Sequence, residues 1–314
     1  MLAAADAERF ERRNNMTKPS IGFIGLGLMG AAMVGRLQDK SYDLHVVANR
    51  SREAIDKAVG RGATEHGSAR EVAAASDITM MCMDTSASVE ARMMGDDGII
   101  AGLSDGKTVL DFGTSLPAST RMLGEKVAAA GGTYLDAPLG RTPAHAVDGL
   151  LNIMASGDKA AFDKVEPVLQ DLGENVFHLG ALGSGHTIKL INNFIGMTTA
   201  CAVSEAFAMA DKAGVPRQQV YDVMAAGPVH SGMMDFVKAF AVDGDPTKLA
   251  FAIKNGRKDV GYYATMADDA GVTSLMSGGT KTALGMARDS GQADDMVCQM
   301  VDFFANLFDE KTGK

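Results

Sequence analysis

Lys189, Asn192 and Asn193 stand at i, i+3 and i+4 in a run, Thr187 to Lys212, whose only other charge before Asp211 is Glu205. On a helix these three side chains share one face. Apolar surroundings disfavour an ammonium and lower its pKa, which suits a lysine to exchange a proton with an alcohol or a carbonyl. A lysine near a helix start that reaches solvent fits the same spacing, and the spacing alone leaves both readings open. The loop Gly183-Ser184-Gly185-His186 leads into this run.

A second chemical feature lies near the other end of the chain. Gly25-Leu26-Gly27-Leu28-Met29-Gly30 follows the apolar run Ile21–Ile24 and opens a helical run, Ala31–Leu37. Strand, glycine turn and helix in that order form a phosphate cradle: Gly25 for the tight turn, Gly27 for close approach of a pyrophosphate, Gly30 for helix–strand packing. Leu28 and Met29 open the helix whose free N–H groups would face the phosphates. The next β-type run ends Val46-Val47-Ala48-Asn49-Arg50-Ser51, with no acid at its tip. An acid there holds the ribose 2′-hydroxyl of NAD, whereas an arginine suits a 2′-phosphate. Arg50, with Asn49 and Ser51 as hydrogen-bond donors, therefore predicts NADP(H) in preference to NAD(H), against the alternative of a solvated surface arginine.

The elements that must position these residues follow from periodicity. From Ile21 to about Gly180, short apolar runs alternate with amphipathic stretches, the pattern of a mostly parallel sheet covered by helices. The strand-like runs are Ile21–Gly25, Leu44–Ala48, Ile78–Met83, Thr108–Phe112, Thr133–Asp136, Leu150–Ala155 and Asn175–Leu179; Arg121–Ala130 and Ala160–Leu172 read as helices. After Gly185 the pattern turns helical throughout. The expected organisation is a terminal extension over 1–19, an α/β domain over 20–183 and an all-α domain over 184–314. The run from Thr187 to Lys212 is expected to be a long helix joining the two, buried nearly all round in the core or at an interface. It carries too many polar residues for a membrane span.

A formal net charge of −9 argues against nucleic acid or an anionic membrane as partner. Cys82, Cys201 and Cys298 have no paired spacing, which points to a reducing cytoplasm, and residues 1–19 lack the pattern of a targeting peptide. His145, His178, His186 and His230 show no metal-ligand spacing; they are read as surface or cleft residues, with no metal expected.

Four ordered motifs, Gly25 to Gly30, Asp136-Ala137-Pro138-Leu139-Gly140, Gly185 through Lys189 to Asn193, and Lys258-Asp259, together resemble the β-hydroxyacid dehydrogenase family, typified by 3-hydroxyisobutyrate dehydrogenase. The resemblance runs from about Ile21 to about Phe304. It implies a Rossmann domain followed by a helical domain, a homodimer or homotetramer, and hydride transfer between NADP(H) and a short hydroxy acid or aldehyde acid. It further implies that Lys189 is the acid/base, that Asn193 and Asn192 orient a small anionic substrate, and that Lys258, Met83 and Thr114 serve the cofactor. Where many members carry Ser-Gly-Gly for a substrate carboxylate, this chain has Gly140-Arg141-Thr142, similar to sulfolactaldehyde reductases. A sulfonate substrate is one expectation, and a carboxylate of the 3-hydroxyisobutyrate or tartronate-semialdehyde type the other. A non-catalytic dinucleotide reader would need neither Lys189 nor Asn193, and an imine reductase would not be expected to carry the lysine.

Overall fold

A computed structural model describes residues 18–49 and 52–310, which form two compact units dividing between His186 and Thr187. Arg50, Ser51 and nearly all of the predicted N-terminal extension lie outside the described residues.

The first unit is built on strands β1 (Ile21–Ile24), β2 (Leu44–Val47), β3 (Thr64–His66), β4 (Ile78–Met81), β5 (Thr108–Asp111) and β6 (Thr133–Asp136). All pair in parallel, in the order β3-β2-β1-β4-β5-β6. Parallel neighbours need crossovers. Helices α1 (Leu28–Asp39), α2 (Glu53–Gly60), α3 (Ala69–Ala75), α4 (Ser86–Met93) and α5 (Pro117–Ala129) supply most of them. Alternate residues of the central strands feed the two sides of the sheet. Phe23 and Leu110 join one buried cluster with Met33 and Leu37; Ile24 and Val109 join another with Val72 and Leu123. Strand order reverses between β1 and β4, and a crevice at the carboxyl ends of the strands opens at such a point.

Two predicted strands belong elsewhere. β7 (Leu139–Gly140), β8 (Leu151–Ala155) and β9 (Gly173–His178) form a separate three-stranded sheet, with β7–β8 antiparallel and β8–β9 parallel, and with α6 (Pro143–Asp148) and α7 (Lys159–Leu172) between them. Neither β3 nor β7 was predicted: Thr64-Glu65-His66 is polar and sits at the sheet edge, and β7 has only two residues.

The second unit is all helical: most of α8 (Ser184–Lys212), then α9 (Arg217–Ala225), α10 (Gly232–Ala241), α11 (Ile253–Asp269), α12 (Ser277–Ala287) and α13 (Met300–Glu310). Met197, Phe207, Val260, Leu284 and Val301 are buried at its core. Among the described residues no helix is long and apolar enough to cross a membrane.

In the single chain α8 is not buried all round. Ile188, Ile191, Ile195 and Met209 are 40–58% exposed, so the helix is buried on one face only in the single chain. Its apolar residues exceed what one helical core face can absorb, and the surplus forms a stripe along the other side.

Candidate active site

In the first unit the glycine turn is fixed by contacts that a side chain would break. Gly25 has φ +94°, and a Cβ there would lie 2.4 Å from the Cys82 carbonyl oxygen. A Cβ on Gly30 would lie 2.0 Å from the Gly25 carbonyl oxygen, so α1 rests on the turn itself. Gly27 is the opposite case, with nothing within 4 Å of the same position. α1 begins there without a side-chain cap and without an acid in its first turn, so its leading N–H groups stay available to an anion. Leu28 is 84% exposed beside them, while Met29 packs on the core. A cavity of about 470 Å³ adjoins the turn, and Gly25, Gly27, Asn49, Met83 and Arg92 are among its lining residues. The cradle therefore fits a dinucleotide: open where a pyrophosphate must approach, closed where helix meets strand. Thr114 lies in the turn after β5, half-buried, between Gly113 and Ser115. Asp111 shapes that turn by accepting hydrogen bonds from Gly113 N (2.8 Å) and Ser115 Oγ (2.9 Å).

A buried polar network holds the start of α8. Asp111 and Asp136 pair in register at the ends of β5 and β6, and both are fully buried. Asp136 Oδ1 accepts from Gly183 N at 2.8 Å and Oδ2 from His186 N at 2.7 Å. The Ser156 hydroxyl donates to Asp136 Oδ1 and accepts from Gly185 N at 2.9 Å. Helix N–H groups that would otherwise have no partner thus end on a carboxylate and a hydroxyl supplied by the sheets. Gly185 is required for this approach, because a Cβ would lie 2.2 Å from the Met154 carbonyl oxygen. His186 follows its backbone inside. It is fully buried, with Nδ1 2.8 Å from Thr120 Oγ1 and Nε2 3.7 Å from Asp111 Oδ2. That corrects its reading as a surface or cleft residue. Tyr134 O–H points at Asp111 Oδ2 from 3.4 Å, and burial first, then the Asp111 charge, push its phenol well above the usual range. Lys189 follows His186 by three residues on this helix.

In the second unit the structure gathers Asn193 and Lys258 around Asp259. Asn193 Nδ2 donates to Asp259 Oδ2 at 2.6 Å, and Lys258 Nζ lies 3.0 Å from Asp259 Oδ1. Asp259 is 1% exposed and Asn193 8%. Desolvation lowers the Lys189 pKa below its ordinary value, the Asp259 carboxylate opposes that shift, and the Lys258 ammonium adds to it. Asn192 is exposed, with Nδ2 3.4 Å from Asn193 Oδ1. Asp259 was missing from the predicted site although Lys258-Asp259 was one of the motifs. A carboxylate on a helix face otherwise turned to the core was the available signal.

The segment Gly140-Arg141-Thr142 leads from β7 into α6, where Thr142 Oγ1 lies 2.8 Å from His145 Nδ1. Arg141 has φ +75°, a left-handed conformation uncommon for a residue with a side chain. Its Nη1 donates to Glu174 at 2.5 Å and to the Leu150 carbonyl at 2.6 Å. The guanidinium is therefore tied to β9 and to the residue before β8.

Two family models match the two parts of the chain. The NAD binding domain of 6-phosphogluconate dehydrogenase matches residues 20–180, and the NAD-binding domain of NADP-dependent 3-hydroxyisobutyrate dehydrogenase matches residues 183–304. A 2-hydroxy-3-oxopropionate reductase of Escherichia coli (strain K12) is 34% identical over 215 residues, covering 68% of this chain and 73% of that protein. The chloroplastic glyoxylate/succinic semialdehyde reductase 2 of Arabidopsis thaliana is 28% identical over 284 residues, 90% of this chain and 78% of that protein. The crystal structure of a 3-hydroxyisobutyrate dehydrogenase from Salmonella typhimurium superposes with a TM-score of 0.79 at 26% identity, covering 91% of this chain and all of that one. Fold, cradle and likeness together define an NAD(P)-dependent oxidoreductase. The chain belongs to the β-hydroxyacid dehydrogenase family.

Asp136→Asn tests the anchoring of α8. The amide must turn a donor toward Gly183 N, His186 N or Ser156 Oγ, and a hydrogen bond to a charged group is worth about 1.5–3 kcal/mol. We expect a loss of about 3 kcal/mol or more in the denaturant unfolding of the full chain, with Ser156→Ala costing less. An Asp136→Asn variant as stable as the parent would remove Asp136 as the anchor.

Proposed function

We propose that the protein interconverts a short semialdehyde acid and the corresponding hydroxy acid, with NADP(H) preferred over NAD(H). The observation that carries this reading is the unit-two cluster: a lysine whose charge is disfavoured by desolvation, on one helix face with a buried asparagine bonded to Asp259. The nicotinamide, when bound, supplies or takes the hydride. In reduction the Lys189 ammonium donates a proton to the carbonyl oxygen; in oxidation neutral Lys189 takes the hydroxyl proton. Asn193, helped by Asn192, orients the substrate, and Asp259 holds Asn193 by accepting one amide N–H, which leaves the amide oxygen able to accept from a donor such as a hydroxyl. Lys258 and Thr114 serve the cofactor, as do Met83 and the glycine turn. Arg50 and Ser51, beside the neutral Asn49, support NADP(H) from sequence.

For the acid group, which Gly140 and Thr142 would adjoin, a carboxylate is supported by the name of the Escherichia coli relative, a 2-hydroxy-3-oxopropionate reductase. A sulfonate keeps one argument, the planar fork of Arg141, but one nitrogen of that fork is engaged by Glu174 and Leu150. Assay of short semialdehyde acids, hydroxy acids and their sulfonate analogues with both cofactors, by nicotinamide absorbance, tests the assignment. We expect the highest kcat/KM for a three- or four-carbon carboxylate with NADPH; activity confined to sulfonates would overturn it.

The exposed stripe Ile188, Ile191, Ile195 and Met209 supports a homo-oligomer in which a second copy covers α8. Sedimentation velocity is expected to show a dimer or tetramer, converted toward monomer by Ile195→Asp; a monomeric parent contradicts it. Free thiols at Cys82, Cys201 and Cys298 support a reducing compartment such as the cytoplasm.

The lysine's role has a signed test. Alcohol oxidation needs neutral Lys189, so kcat/KM should rise with pH through a midpoint below the ordinary lysine value of about 10.4. Asp259→Asn removes a charge that raises the pKa and should move that midpoint to lower pH; Lys258→Met removes one that lowers it and should move it higher. Lys189→Ala should cut turnover by about 10²-fold or more. Shifts of the same sign in both variants would mean that another group titrates.

A further inference from the structure

The cofactor cavity contains a cation that stands outside the glycine turn and outside the tip of β2. Residues Ser88, Ala91 and Arg92 of α4 line the cavity, while Ser86, Val89 and Met93 of the same helix are buried against the core. The spacing i, i+3, i+4 puts the three lining residues on one face. Two are small, and Arg92 is the long side chain among them. α4 is fixed at its start by a capping box, in which the Thr85 hydroxyl accepts from Ser88 N at 3.1 Å and the Ser88 hydroxyl from Thr85 N at 3.0 Å. The base from which Arg92 extends is therefore rigid. Its far end is held as well: Nη2 donates to Asn49 Oδ1 at 2.8 Å.

Asn49 follows β2, the position that meets the adenosine ribose in a doubly wound sheet with this strand order. An acid there would receive the ribose 2′-hydroxyl; the neutral amide instead receives a guanidinium. Among the described residues that line the cavity Arg92 is the one cation. A 2′-phosphate adds a charge of about −1.5 to −2, with oxygens that a guanidinium fork can take two at a time. In a chain of net charge −9 that charge has to be met locally.

The geometry points to Arg92 as a residue that reads the ribose 2′-phosphate, reaching it from α4 and aimed by Asn49. This rests on the NADP(H) reading and extends it to a helix that the strand-tip pattern does not include. It makes Asn49 a positioning residue, whose carbonyl sets where the guanidinium lies.

Calorimetric titration of the full chain with adenosine 2′,5′-bisphosphate and with 5′-AMP separates the possibilities. The parent should bind the bisphosphate about tenfold or more tightly than AMP. Arg92→Met keeps the stem and removes the fork; it should remove most of that preference while AMP affinity moves by less than about twofold. Arg92→Lys, which keeps charge without the fork, should recover part of it. A parent that binds AMP as tightly as the bisphosphate would overturn the NADP(H) reading itself. A parent that prefers the bisphosphate, with the preference intact in Arg92→Met, would leave that reading standing and overturn the role of Arg92. Equal loss of both ligands in Arg92→Met would also overturn it, since the arginine would then support the adenine or the helix rather than the phosphate.

Discussion

A buried carboxylate at the end of β6 governs where α8 begins. Taking Asp136 out of water costs several kcal/mol unless its oxygens are satisfied. The donors that satisfy them are the backbone N–H groups of Gly183 and His186 and the Ser156 hydroxyl. The exchange is mutual, since a helix N-terminus has unpaired N–H groups and a positive end that favours an anion. Each half of the contact would be a liability alone. Together they fix the rotation of the first turn of α8.

The cradle solves a different electrostatic problem, an acidic chain that must hold a polyanionic cofactor. Net charge cannot help at −9, and the solution is local and dipolar. The uncapped start of α1 presents N–H groups, the open space above Gly27 admits the phosphates to them, and the absence of an acid from the first turn leaves the dipole unopposed. Asp111 and Asp136 lie on the same sheet but are consumed by Gly113, Ser115 and the start of α8, so neither presents a free carboxylate to the cofactor.

What the sequence made legible was the short-range part of this arrangement. The glycine turn between strand and helix, the short apolar runs of the central sheet, the change to helix near residue 185 and the shared face of Lys189 and Asn193 depend on neighbours within a few positions. The hidden part was set by contacts across long separations. Asp136 meets His186 fifty residues on, and Asn193 meets Asp259 sixty-six residues on. No local period announces either pair. His186 read as a surface or cleft residue because its partners, Thr120 and Asp111, come from other elements. Arg141 was legible as a fork, whereas the Glu174 that holds it is thirty-three residues away. Its backbone is left-handed, a conformation that favours glycine and that the spacing of residues does not reveal.

Under the proposed mechanism, Asp259 joins two requirements of acid–base chemistry that pull against each other. A lysine that is to both give and take a proton cannot keep its full solution basicity, and desolvation supplies a downward shift at Lys189. The buried Asp259 carboxylate opposes that shift and restores part of the ammonium's stability. The same carboxylate fixes the Asn193 amide from 2.6 Å and pairs with Lys258. The Lys189 ammonium and the Asn193 amide are thereby both coupled to one carboxylate. Neutralising Asp259 must alter both at once, whereas Lys258, which acts on Lys189 through charge, offers a way to change the proton affinity without breaking the Asn193 bond.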